Sequence, residues 1–255
     1  MADPAELVGS LWDDEVAAAV ERNPQAAAAC VRLLADPPSS TEDGLVAESL
    51  AYAELQGGPE FAAWLAGRGA VQPAPSPEPV RLERVDDHLT ITLQRPEWHN
   101  ALDVAMRDAL CEAFDLLAAD PSLTATLRGD GPSFCSGGDL REFGTFPDPE
   151  TAHAVRLERL PARGLAAVAD RVTAEVHGAC VGGGAELAAF CHRVVAHPGT
   201  TFRLPEVAMG LVPGQGGTVS LPRRIGARRT AWLALSGQAI DAPTALEWGL
   251  VDELS

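Results

Sequence analysis

The chain has 255 residues, 46% of them hydrophobic and 22% charged, a composition suited to one sizeable globular domain or a core with a smaller satellite. Its formal net charge of −17 opposes nonspecific binding to nucleic acid or to an anionic membrane, so any anionic ligand must be met by local arginines and backbone N–H groups. There is no lysine, which excludes a P-loop lysine, Schiff-base catalysis and pyridoxal chemistry.

The five cysteines, Cys30, Cys111, Cys135, Cys180 and Cys191, form no C-x-x-C pair and are odd in number. They read as reduced thiols of a cytoplasmic protein, with no disulfide framework and no metal site expected. Asp3 and Glu6 stand where a signal peptide would be basic, and no apolar run is long enough to cross a bilayer.

Residues 1–71 are alanine-rich and carry helical periodicity only. Leu7, Leu11, Val16 and Val20 recur at helical spacing, and Asn23-Pro24 supplies an N-cap and first-turn proline for a second helix to about Leu34. Asp36-Pro37-Pro38 ends it, Ser39 to Asp43 caps a third helix to about Leu55, and a fourth spans Glu60 to Ala66. Residues 72–79 have proline at every second position from Pro73 and read as a stiff linker before a separate core at 80–255.

That core opens with a hairpin-like pair of strands, Val80 to Val85 and Leu89 to Leu93. Asp103 caps a helix to about Ala119, and a short strand follows at Leu123 to Leu127. After a Gly-rich loop ending at Asp139 and a helical segment beyond Phe146, an apolar strand, Val172 to Val176, leads to Gly182-Gly183-Gly184 and a helix carrying Glu186. Contiguous glycines at a helix start leave the main chain open to a ligand and aim orphan N–H groups at developing negative charge. They lack the spacing of a dinucleotide fingerprint. Strands alternating with helices argue for an α/β core with largely parallel strands.

Four blocks carry a resemblance to a known family. They are Arg95-Pro96 with Asn100-Ala101-Leu102; Phe134 to Leu140 (Phe-Cys-Ser-Gly-Gly-Asp-Leu); His177-Gly178 with Gly182-Gly183-Gly184 and Glu186-Leu187; and Phe202 with Pro205-Glu206, continuing through Gly210 to Thr218 and Leu221 to Gly226. In this order and register, residues 80–254 resemble the enoyl-CoA hydratase/isomerase, or crotonase, superfamily. The resemblance implies a crotonase-like (ββα)n spiral core. It further suggests that residues 1–70 stand for the family's C-terminal helices, moved to the front by circular permutation and covering the active site.

By the same resemblance, the backbone N–H groups of Gly138 and Gly183 form an oxyanion hole. Glu186 activates water for the β-carbon and Glu206 delivers a proton to the α-carbon of an enoyl-CoA thioester. The expected activity is hydration or dehydration (a lyase of the EC 4.2.1 type), with coenzyme A entering only as part of the substrate. Enoyl-CoA isomerisation or thioester or C–C hydrolysis through the same enolate is the alternative, and a non-catalytic assembly partner the third reading. Without lysine, Arg68, Arg95 and Arg141 are the candidates for the coenzyme A phosphates. The family implies a homotrimer or dimer of trimers. His99, His177 and His192 lack metal-ligand spacing and read as structural, as do the thiols of Cys135 and Cys180.

Overall fold

The hairpin expected at the start of the core forms one edge of the main sheet in the computed structural model, which describes residues 3–69, 78–146 and 148–255. Strands β1 (Val80–Val85) and β2 (His88–Leu93) pair antiparallel around Asp86, whose φ of 52° makes the turn. Beyond them β3 (Thr124–Gly129), β4 (Val172–Val176), β6 (Arg193–Ala196) and β9 (Glu253–Leu254) continue the sheet, all parallel. The mixed α/β class with a mainly parallel sheet therefore holds. A smaller sheet in the order β5 (Ala179–Val181), β7 (Thr201–Arg203), β8 (Ile240–Asp241) stands beside it.

Helices cover the apolar face. In α6 (Val104–Ala119) the side chains of Met106, Leu110, Ala113, Phe114 and Leu117 repeat at helical spacing and are all buried. Asp103 caps it by accepting from the Met106 amide at 2.8 Å. The helical segment after Phe146 is two helices, α7 (Pro149–Glu158) and α8 (Pro161–Val168), each opened by a first-position proline. Helix α8 packs between α6 and α9 (Gly183–Phe190), whose residues are buried throughout. The long α10 (Gly217–Ser236) bends at Gly226, and α11 (Ala242–Trp248) returns the chain to β9.

The N-terminal helices lie against this core. The single helix suggested by Leu7 to Val20 is instead α1 (Pro4–Val8) and α2 (Asp14–Arg22), because Gly9 turns to φ 59° and Asp13 starts a new helix by accepting from the Val16 amide. Asn23 does precede α3 (Pro24–Ala35), but its side chain makes no cap bond. Glu60 caps that helix from a distance, accepting from the Gln25 amide at 2.7 Å and the Ala26 amide at 3.0 Å. Ser40 caps α4 (Thr41–Gln56), and α5 (Pro59–Arg68) follows. Helices α1 to α4 pack on α10, and α4 also lies along α7. Of the linker expected at 72–79, all but Glu78 and Pro79 lie outside the described residues.

Candidate active site

The smaller sheet brings the two glycine loops together. Residues 134–138 run beside β5: the Phe134 amide donates to the His177 carbonyl, Cys135 to Ala179, and Val181 to the Cys135 carbonyl. On the other side of that loop, Leu102 donates to the Gly137 carbonyl and accepts from the Asp139 amide. A residue bridged through both of its chain neighbours turns its own N–H the opposite way, so the Gly138 amide points away from Leu102. Gly183 is the first residue of α9, where an N–H has no partner within the helix.

Glu186 lies in the first turn of α9, and its Oε2 accepts from the amides of Gln215 at 2.6 Å and Gly217 at 2.8 Å. Glu206 follows β7, with its carbonyl accepting from Met209 and Leu211, and its Oε2 is buried without a hydrogen-bond partner among the described residues. Gly182 adopts φ 50°, and a Cβ there would collide with Glu206 Oε1. A Cβ on Gly217 would stand 2.6 Å from Glu186 Cγ. The positive φ favours glycine at 182, and the absence of a side chain at 217 leaves room for Glu186. Gly138, Gly183, Glu186 and Glu206 line one cavity of about 110 Å³.

A third carboxylate comes from outside the core. Glu48 of α4 is 1% exposed and accepts from the amides of Gly216 at 2.6 Å and Thr218 at 2.8 Å, and from Thr218 Oγ1 at 2.6 Å. Amides 215 and 217 therefore hold Glu186, while 216 and 218 hold Glu48, so the two side chains grip alternate N–H groups at the start of α10. Burial pushes the carboxyl of Glu206 up to about 8 and that of Glu48 up to about 7. Glu186 is raised well above the usual range, first by burial and then by the neighbouring charges of Glu206 and Glu48. The two amide donors to Glu186 favour its charged form, whereas the unpartnered Glu206 oxygen suits a protonated acid.

The arginines expected to meet phosphate separate. Arg95 requires a correction: its side chain is fully buried, ion-paired to Asp103 and Asp139 at 3.1 Å each and donating to the Ala101 carbonyl. It locks the loop that carries Gly138 and cannot reach a ligand phosphate. Arg141 is also withdrawn, being 8% exposed, paired to Asp139 and stacked 3.8 Å over the Trp98 ring. Arg68 is half-buried at the cleft edge, donating to the carbonyls of Leu140 and Phe143.

The histidines and thiols make contacts within the fold. His99 bonds Ser133 Oγ at 2.9 Å, and His177 donates to the Gly131 carbonyl. Burial pushes the Cys135 thiol up to about 12, which keeps it un-ionised. Among the described residues no cluster of three His, Cys, Asp or Glu could hold a metal, and no helix is long and apolar enough to cross a membrane.

Sequence reasoning missed several residues of the cavity wall, among them Tyr52 and Gln56 on α4, Arg156 on α7, Arg107 on α6, Glu142, and Gln215 beside Glu186. Nothing local marks the first three, which are brought in by the packing of α4 on α7. A larger cavity of about 710 Å³ between α3 and α4 shares none of the catalytic candidates.

The sequence profile described as enoyl-CoA hydratase/isomerase matches residues 86–255. Mevalonyl-coenzyme A hydratase of Aspergillus fumigatus is 36% identical over 172 residues, covering 65% of this chain and 62% of that protein. The 2,3-dehydroadipyl-CoA hydratase of Escherichia coli is 36% identical over 167 residues, covering 65% of each. The chain thus spans just under two thirds of the length of these relatives. A crystal structure of an enoyl-CoA hydratase/isomerase from Mycobacterium abscessus superposes with a TM-score of 0.64 at 34% identity, covering 69% of this chain and 70% of the other. The chain belongs to the enoyl-CoA hydratase/isomerase family.

Proposed function

We propose that the protein is an acyl-CoA hydratase, adding water across the α,β double bond of an enoyl-CoA thioester. The observation that carries this reading is the single cavity lined by two buried glutamates and by the main chain of two glycines. The thioester carbonyl sits against the amides of Gly138 and Gly183, where each backbone donor contributes on the order of 10²–10³ in rate. The Glu186 carboxylate takes a proton from water as the water oxygen bonds to the β-carbon. The π electrons move onto the thioester oxygen, and the enolate returns them to form a bond between the α-carbon and the Glu206 proton. Water is consumed, both carboxyls exchange protonation, and transfer between them or through solvent resets the site. Neither a metal nor a redox group is called on.

Arg68, the remaining one of the three candidates and hydrogen-bonded to the carbonyl of the cavity-lining Phe143, is the proposed contact for coenzyme A phosphate. Helices α3 to α5 do the work of the family's C-terminal helices, a reading supported by Glu48, Tyr52 and Gln56 reaching the site from the front of the chain. Five free thiols fit a reducing compartment such as the cytoplasm, and the resemblance to the family supports a homotrimer or dimer of trimers as the proposed assembly.

The test is turnover of crotonyl-CoA followed by loss of enoyl absorbance. Glu186→Gln and Glu206→Gln should each lower kcat by roughly 10²–10⁴. Activity surviving both substitutions contradicts the assigned roles.

A further inference from the structure

The reaction uses the glutamates and the amides, but the same cavity holds two arginines to which it gives no task. Arg156 of α7 is 8% exposed, and every hydrogen bond it donates goes to a neutral oxygen: Nε to Ser49 Oγ at 3.0 Å, Nη1 to Gln56 Oε1 at 3.1 Å, and Nη2 to the Ser49 carbonyl at 3.3 Å. Its plane lies 4.5 Å over the Tyr52 ring. Among the described residues no carboxylate comes within ion-pair distance of it. Arg107 of α6 lines the cavity as well; its Nε is buried without a hydrogen-bond partner, and its ion-pair contact, Asp108, is 3.9 Å away. The two cations feel each other, since Arg107 adds to the burial that lowers the pKa of Arg156, while Tyr52 and Glu48 offset it.

A buried guanidinium without a direct ion-pair partner is costly unless something anionic arrives. The acidic groups around it are already engaged: Glu48 holds the start of α10, Asp139 pairs with Arg95 and Arg141, and Glu142 accepts from the Val104 amide. The cavity, about 110 Å³, is well below the roughly 300–1,000 Å³ of sites for drug-sized ligands. A short acyl group fits it.

We propose that Arg107 and Arg156 receive a carboxylate at the far end of the acyl group, so that the substrate is a short dicarboxylic enoyl-CoA. This rests on the acyl-CoA reading above and adds the substrate class to it. A chain of net charge −17 repels a further negative charge at long range, so a preference for the carboxylated acyl group must come from these two side chains.

The experiment compares binding of glutaryl-CoA and valeryl-CoA, saturated thioesters of equal chain length, by titration calorimetry, which needs no turnover. Wild-type protein should favour glutaryl-CoA by at least about tenfold, the effect of one charge-assisted hydrogen bond. The ratio should fall towards one in Arg156→Gln and in Arg107→Gln. The second variant carries the test if the first fails to fold, because Arg156 also ties α4 to α7. A wild-type ratio near one, or a preference that persists in the folded variants, overturns the proposal. If crotonyl-CoA is hydrated while the ratio is one, only the substrate class is wrong. If no thioester binds and none turns over, the acyl-CoA reading falls and takes this inference with it.

Discussion

Three neighbouring buried carboxyls, of which Glu186 and Glu206 line the cavity, give the site a pH signature. The folded-state pKa of Glu206 is about 8 and that of Glu48 about 7, each above the ordinary 4.5. A group raised in this way contributes its stabilisation fully below its unfolded pKa and loses it as pH rises through the folded one. The urea midpoint should therefore decline from about pH 5 to about pH 9, and Glu206→Gln should flatten that decline. A midpoint that rises over this range would show that the carboxyls are ionised and well paired. Glu48 grips the amides that alternate with those holding Glu186, so on the proposed mechanism its loss should also reach turnover through the main chain. Glu48→Ala strands buried donors and should cost about 1–3 kcal/mol in urea unfolding at pH 6. It should also lower kcat while leaving KM for crotonyl-CoA near the wild-type value. A loss confined to stability would mean that Glu186 keeps its place without it.

At the scale of elements, α5 is fastened by Phe61, which is 2% exposed and stacked on Trp64 at 5.8 Å, with Phe143 6.4 Å away. Phe143 also lines the cavity, so the helix is tied to the wall of the site. Phe61→Ala should cost roughly 3–5 kcal/mol, read as a lower urea midpoint with unchanged slope. A change under about 1 kcal/mol would mean that α5 is peripheral. Elements with strong local patterning were legible in advance. The apolar stripe and Asp103 cap of α6 and the alternation in β1 and β2 fix those elements from neighbours in the chain. The two-residue strands β8 and β9 have no such signal, because they exist only through pairing with β7 and β6. Asn23 shows the same limit: its position before α3 was readable, whereas the cap itself comes from Glu60, 37 residues along the chain by number.

For the whole molecule, the two glutamates proposed for catalysis were readable as candidates because Glu186 and Glu206 stand inside motif blocks, and the structure brings both to one cavity. The cavity wall was not readable, because Tyr52 and Arg156 meet only when α4 lies along α7. Arg95 misled for a related reason: an arginine at a motif is equally suited to hold a ligand or a loop, and burial beside Asp103 and Asp139 decides for the loop. If the front helices are an integral cover, residues 1–69 and 78–255 produced as separate chains should associate and recover crotonyl-CoA turnover. A 78–255 chain that is fully active by itself would make the cover dispensable.

The most direct measurement is NMR of the product formed from crotonyl-CoA in D₂O. Two amides holding an enolate between two carboxyls predict a 3-hydroxyacyl-CoA with one deuteron at the α-carbon, formed roughly 10²–10⁴ times more slowly by Glu206→Gln. Deuterium exchange or double-bond migration without a hydroxyl at the β-carbon would contradict hydration.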